Sequence, residues 1–192
     1  MWNYGGLRTW FLNVAKSDWH VIRARAEALT GTVIPWKRCY TKADVDALIQ
    51  EALAWGHRSV AINYEPSGPD TVLTVEEIAE SLKAFPIGYT AYLVVSPWME
   101  NDPPWYKLGA RCVFIIEGFT NERPYKLSEL VEHAHKLGAR QVVVMAGLYP
   151  AANTPPASLA AWQQAGGAPI IYLGDNLGND PSAWAKWKPI GV

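Results

Sequence analysis

The sequence is poor in several things that would assign a function quickly. Cysteine occurs twice in 192 residues, as Cys39 and Cys112. Two thiols without ligand spacing exclude a disulfide scaffold and a cysteine-based metal site, and the apolar run beginning at Cys112 points to buried thiols. Histidine occurs four times, and His133 and His135 stand two apart on a helical stretch, facing different ways, so no metal and no cofactor is expected. No basic run is present, and the net charge of -1 excludes the electrostatic attraction that drives nucleic-acid binding. No run approaches the ~18 apolar residues of a membrane span. The opening "MWNYGGLRTW" lacks the apolar core of a signal peptide, so secretion by a cleaved leader is not expected; synthesis in the cytoplasm is, and a leaderless chain could still act outside a cell if carried there in a particle. No Gly-x-Ser-x-Gly frame is found, and "NVAKSDW" after the first apolar run holds no glycine-rich phosphate loop. Asp18, Asp70, Asp102 and Asp180 stand in turn or cap settings.

What the chain does have is apolar mass: 49% hydrophobic residues against 18% charged, and ten tryptophans. This is one globular domain over residues 1–192. Most of the indoles belong in a core. Trp36, Trp98 and Trp105 follow apolar runs, where a flat aromatic face suits stacking on a sugar ring.

A short motif recurs: "KLGARCVFIIEGF" from Lys107, "KLGARQVVVMAGL" from Lys136 and a looser "AWGHRSVAINYEP" from Ala54. Each copy is a helix end, a glycine, an arginine and an apolar run. Glycine suits the left-handed turn that closes a helix, and strands apolar on both faces suit a parallel sheet covered by helices. Strands are predicted over 9–14, 32–36, 59–65, 89–96, 112–117, 141–146 and 169–173. Amphipathic helices are predicted over 18–29, 43–55 and 127–137, from a capping box at Thr74-Val-Glu-Glu77, and over 158–164 and 182–187. "SPWMENDPPWYKLG" reads as a long loop with one helical turn. The expected fold is α/β: a TIM-like (β/α) barrel of seven or eight parallel strands with one irregular unit, an open doubly wound sheet being the alternative. An eighth strand would come from "MWNYGG" or "KPIGV".

In a barrel the strand C-termini share one mouth. Asn13, Lys37, Arg38, Asn63, Glu65, Ser96, Glu117 and Asp175 all stand at such ends. Glu65 as acid with Glu117 or Asp175 as partner would supply the two carboxylates of glycoside hydrolysis. Against that, each could pair with Lys37, Arg38 or Arg123 and merely tie loops together. Aligning the repeats on Gly56 and Gly109 also puts Glu117 level with Tyr64, which would point the two glutamates to opposite faces.

The segments "WFLNVAKSDW", "TVIPWKRCYTKADVDALIQEALAWG" and "VAINYEP" resemble family 25 glycoside hydrolases, the lysozyme-like muramidases. That resemblance implies a modified (β/α) barrel whose first strand ends in Asp and a later one in Asp-x-Glu. Here Asn13 stands for the first aspartate and Asn63-Tyr64-Glu65 for the second motif. "VIPWKRCYTKADVDALI" and "VAINYEP" also resemble hydrolase-like barrel domains of actinobacterial phage minor tail proteins, which implies a virion component meeting a glycan-rich envelope. Asparagine cannot act as a base, but it can hydrogen-bond a sugar. The expectation is therefore a non-catalytic or weakly catalytic barrel that contacts cell-wall or surface polysaccharide, with other virion proteins as neighbours. A muramidase-like hydrolase is the alternative, and a barrel enzyme using Lys37 or Arg38 for an anionic substrate is a third. Candidate binding residues are Asn13, Trp36, Arg38, Asn63, Tyr64 and Trp98; the catalytic candidates are Glu65, Glu117 and Asp175. Carboxylates facing one cleft would favour hydrolysis. Opposed directions, or a mouth plugged by Trp98 and Trp105, would favour assembly.

Overall fold

The computed structural model describes residues 9–15, 20, 23–24, 32–66, 69–95, 105–117, 127–148 and 171–173. Seven strands form one sheet: β1 (Thr9–Asn13), β2 (Thr32–Arg38), β3 (Ser59–Asn63), β4 (Thr90–Val95), β5 (Cys112–Glu117), β6 (Gln141–Leu148) and β7 (Ile171–Leu173). Every neighbouring pair is parallel, and the spatial order is the chain order. A doubly wound sheet reverses its strand order at a switch point; this one does not. The result is a sequentially wound parallel α/β sheet, compatible with a barrel.

Helices α1 (Lys42–Ala54), α2 (Val75–Ser81) and α3 (Leu127–Lys136) fill three of the crossovers, and a 3-10 turn at Trp105–Lys107 serves the fourth. Capping boxes start α1 and α2. Thr41 accepts from the Asp44 amide and Thr74 from the Glu77 amide, while each acid reaches back to the cap. Val45, Leu48, Ile49 and Ala52 of α1 and Val75 and Ile78 of α2 are buried. They meet Val60, Ile62, Leu93, Val95, Phe114 and Ile116 in one apolar cluster. Those strand residues alternate, so they share the helix-covered face of the sheet.

The other face is buried as well. Ile34, Ala61, Val94 and Ile115 are each at most 2% exposed, yet they lie outside the helix-side cluster. A sheet that buries both faces, with helices against one, accounts for the unbroken apolar runs of β3, β4 and β5. β2 extends two residues beyond its expected end and so carries Lys37 and Arg38 on opposite faces. It pairs with β3 only from Trp36 onward, one residue after Pro35, which has no N–H to give.

The recurring glycines do different jobs. Gly56 and Gly138 take left-handed φ values of 74° and 104°, as a helix-closing turn requires. Gly109 follows the 3-10 turn and is needed for a different reason: a Cβ there would lie 1.9 Å from the carbonyl oxygen of Gly138. The two KLGAR copies thus pack glycine on glycine, and the Arg140 amide approaches the Gly109 carbonyl at 3.4 Å. Arg111, the arginine of the first copy, donates to the carbonyls of Leu82 and Phe85 and ties the end of α2 to β5.

Of the predicted helix over 18–29, His20, Arg23 and Ala24 are described, and all three are helical. The helices expected over 158–164 and 182–187, and the proposed eighth strand, lie outside the described residues.

Candidate functional site

Strand register assembles the candidate site. Val60 is opposite Ala91, and Ala91 is opposite Cys112. Carried along the strands, this sets Glu65 level with Glu117, not Tyr64 level with Glu117 as the glycine alignment predicts. The alignment fails because Gly56 closes an α-helix whereas Gly109 closes a 3-10 turn, so the following strands do not start at the same height. Beyond β3 the ladder continues through the Tyr64 amide, which donates to the Val94 carbonyl at 2.9 Å. The alternation therefore holds to Glu65, which falls on the same face as Asn63.

That face is layered. Trp36, Ala61, Tyr92 and Val113 share one level; Arg38, Asn63, Val94 and Ile115 share the next. Glu65 and Glu117 share the level above, at the C-terminal rim. Positions two strands apart are separated by roughly 9–10 Å at the backbone, which side chains on a common face can span.

The contacts at the rim are specific. Arg38 Nη2 lies 2.8 Å from Glu65 Oε2, and Asn63 Nδ2 donates to Glu65 Oε1 at 3.1 Å. Asn63 is 5% exposed, and its Oδ1 is buried with no partner. Glu117 is half-buried. Burial, with the Glu65 charge adding to it, pushes its carboxyl up to about 7, against a smaller downward pull from Arg38. The two glutamates thus act on each other, one ion-paired and one poised to hold its proton near neutrality. Beneath them, burial also pushes the Tyr92 phenol up.

Several expected site residues stand elsewhere. Tyr64 is 1% exposed, its hydroxyl donates to the Leu73 carbonyl at 3.0 Å, and its ring meets Trp105 edge-on at 5.6 Å. It belongs to the helix-side core, because odd and even positions of a strand face opposite ways. Trp105 is buried between Tyr64 and Phe114, so it neither stacks on a sugar nor plugs a mouth. Lys37 turns to the helix side and pairs with Asp44 at 2.6 Å. Asn13 ends β1 in register with Trp36, on the level beneath Arg38. Trp98 and Asp175, like Ser96 and Arg123, lie outside the described residues.

Tyr92 and Tyr40 were not anticipated. Tyr92 was legible in principle, as a hydroxyl-bearing aromatic two positions before Val94 in an apolar strand. Tyr40 was not, because it follows the strand and its placement depends on the α1 cap. Cys39 and Cys112 are buried, and burial pushes both thiols up to about 12. Among the described residues no group of three acidic, histidine or cysteine side chains could hold a metal ion, and no helix is long and apolar enough to cross a membrane.

No protein-family model matches the chain, and no curated protein matches it. Among solved structures it is similar to the crystal structure of a candidate sporulation-specific glycosylase, ydhD of Bacillus subtilis. The identity is 12% and the TM-score 0.43, with 70% of this chain and 58% of that chain covered, so this chain spans somewhat more than half of that neighbour's length.

Proposed function

We propose that the chain is a glycoside-hydrolase-like (β/α) barrel that acts on cell-envelope polysaccharide, with Glu117 as proton donor and Glu65 as its ionised partner. The observation that carries this is the placement of Glu65 and Glu117 at one level of one face, with Arg38 on the first and burial around the second. Glycoside hydrolysis needs one carboxylic acid to protonate the leaving oxygen and one carboxylate to support the positive anomeric centre or activate water. The roles differ from the sequence expectation, which made Glu65 the acid. The Arg38 guanidinium pairs with Glu65, and the drier setting of Glu117 suits it to keep the proton. Asn63 steadies Glu65 from the same face, and Trp36 and Tyr92 form the level beneath. Closure of the sheet through β7 and β1 would make the rim a continuous mouth.

One observation favours a second reading. Both oxygens of Glu65 are already engaged, by Asn63 and Arg38, and Asn13 and Asn63 are neutral where the resembling muramidases carry acids. On this reading the barrel binds envelope glycan without turnover, as a part of a phage tail or another assembly.

Clearing of a peptidoglycan suspension separates the two. Turnover by the unaltered protein, reduced at least about 100-fold in both Glu117→Gln and Glu65→Gln, supports the hydrolase. Retention on the same glycan with no clearing between pH 5 and 8, weakened by Trp36→Ala, supports the binding module.

A further inference from the structure

Arg38 is the cation paired with the rim carboxylate Glu65. Its side chain is 37% exposed, and its Nε is buried with no partner. A long arginine so placed gains rotamer entropy by leaving for water. Among the described residues an aromatic ring also meets it. Its guanidinium carbon lies over the Tyr40 ring, 5.1 Å from the ring centroid, within the range where a cation is attracted to an aromatic face.

Tyr40 is itself fixed by three hydrogen bonds to its backbone. Its amide donates to Asp44 Oδ2 at 3.1 Å. Its carbonyl accepts from the amides of Val72 and Leu73 at 3.0 and 2.9 Å. Asp44 in turn serves the Thr41 cap and binds Lys37. The ring thus hangs from a junction between the α1 cap and the segment that enters α2.

We propose that Tyr40 is a positioning residue for the rim: its ring face holds the Arg38 guanidinium in plane against Glu65, and so sets the field that Glu117 meets. This deepens the reading of Glu65 and Glu117 as a working pair and rests on it for its role in turnover. Its geometric content stands without turnover. Among the described residues the charged groups acting on Glu117 are Glu65 and Arg38; its register neighbour on β6 is Met145, which does not titrate.

The test is a carbon-13 NMR titration of the Glu117 carboxyl in the full chain, for unaltered protein, Tyr40→Phe, Tyr40→Leu and Arg38→Met. Phenylalanine keeps the ring face and should leave the midpoint in place. Leucine removes the face and should move it upward, by roughly half a unit or more, in the direction of Arg38→Met. A leucine variant that titrates like the unaltered protein, while Arg38→Met moves, overturns the proposal. Should Tyr40→Leu fail to fold, the unaltered protein still decides: an Arg38 Nε–H resonance displaced upfield by the ring supports the stacking, and an undisplaced one refutes it. If the chain proves not to clear peptidoglycan, the hydrolase reading falls, while the titration still answers for Tyr40.

Discussion

Glu65 and Glu117 stand at the same height of the sheet although they belong to strand ends two apart, and among the described residues Glu65 carries an arginine. The pair is asymmetric by construction, and that asymmetry has consequences for pH. If Glu117 is the proton donor, activity on glycan should fall as pH rises through about 7, where its carboxyl ionises. A rate profile between pH 5 and 9 measures this. A flat alkaline side would remove Glu117 from the donor role.

Stability should follow the same group with a defined sign. The folded-state value of about 7 lies above the ordinary 4.5, so the folded chain holds this proton more tightly than the unfolded chain. The stabilisation this gives is complete below about 4.5 and is lost as pH rises to about 7, an upper bound of roughly 3 kcal/mol. Glu117→Gln should therefore flatten the difference between urea midpoints at pH 5 and pH 8, and should be the more stable protein at pH 8.

Asp44 works in the opposite sense. Burial pulls its carboxyl upward, but hydrogen bonds from Lys37, Thr41 and the Tyr40 amide outweigh this and hold it at about 2. Its contribution is present above its ordinary 3.8 and is lost as pH falls through about 2. Asp44→Asn should destabilise the fold by about 1 kcal/mol at pH 7, since it weakens both the α1 cap and the Lys37 pair. Denaturant unfolding at pH 7 and pH 3 should show the deficit shrinking at the lower pH.

Tyr64→Phe separates core from site. It deletes a buried hydroxyl bonded to the Leu73 carbonyl and should cost about 1–3 kcal/mol, because that carbonyl is left without its partner. Glycan binding or turnover should be unchanged, because the ring lies on the face away from the carboxylates. A selective loss of glycan binding without loss of stability would contradict this placement.

Gly109→Ala should be among the most damaging single-methyl changes. The added carbon meets backbone, the Gly138 carbonyl oxygen at 1.9 Å, so no side chain can move aside. A loss above about 2 kcal/mol in thermal or urea unfolding is expected. Gly88→Ala should cost less: its φ of 89°, a strain Gly109 does not have, disfavours alanine, but nothing lies within 4 Å of the added carbon.

The amino-acid sequence by itself determined the local pieces. The Thr41 and Thr74 capping boxes, the amphipathic stripe of α1 and the doubly buried strands follow from side-chain chemistry acting within about four residues, so β3–β5 were legible to within two residues at each end. It also placed the acids and amides at strand C-termini. What it could not set was height and facing. A one-position error in the stagger of β3 against β5 exchanged Glu65 for Tyr64 opposite Glu117, because side chains alternate and stagger is fixed only by inter-strand hydrogen bonds. Trp105 and Lys37 were misplaced for related reasons, since the side of the sheet a residue meets depends on which helix covers it. The proposed partition of roles between Glu65 and Glu117 likewise rests on tertiary structure: the two side chains are chemically identical, and among the described residues Arg38 and Asn63 beside one and burial around the other distinguish them.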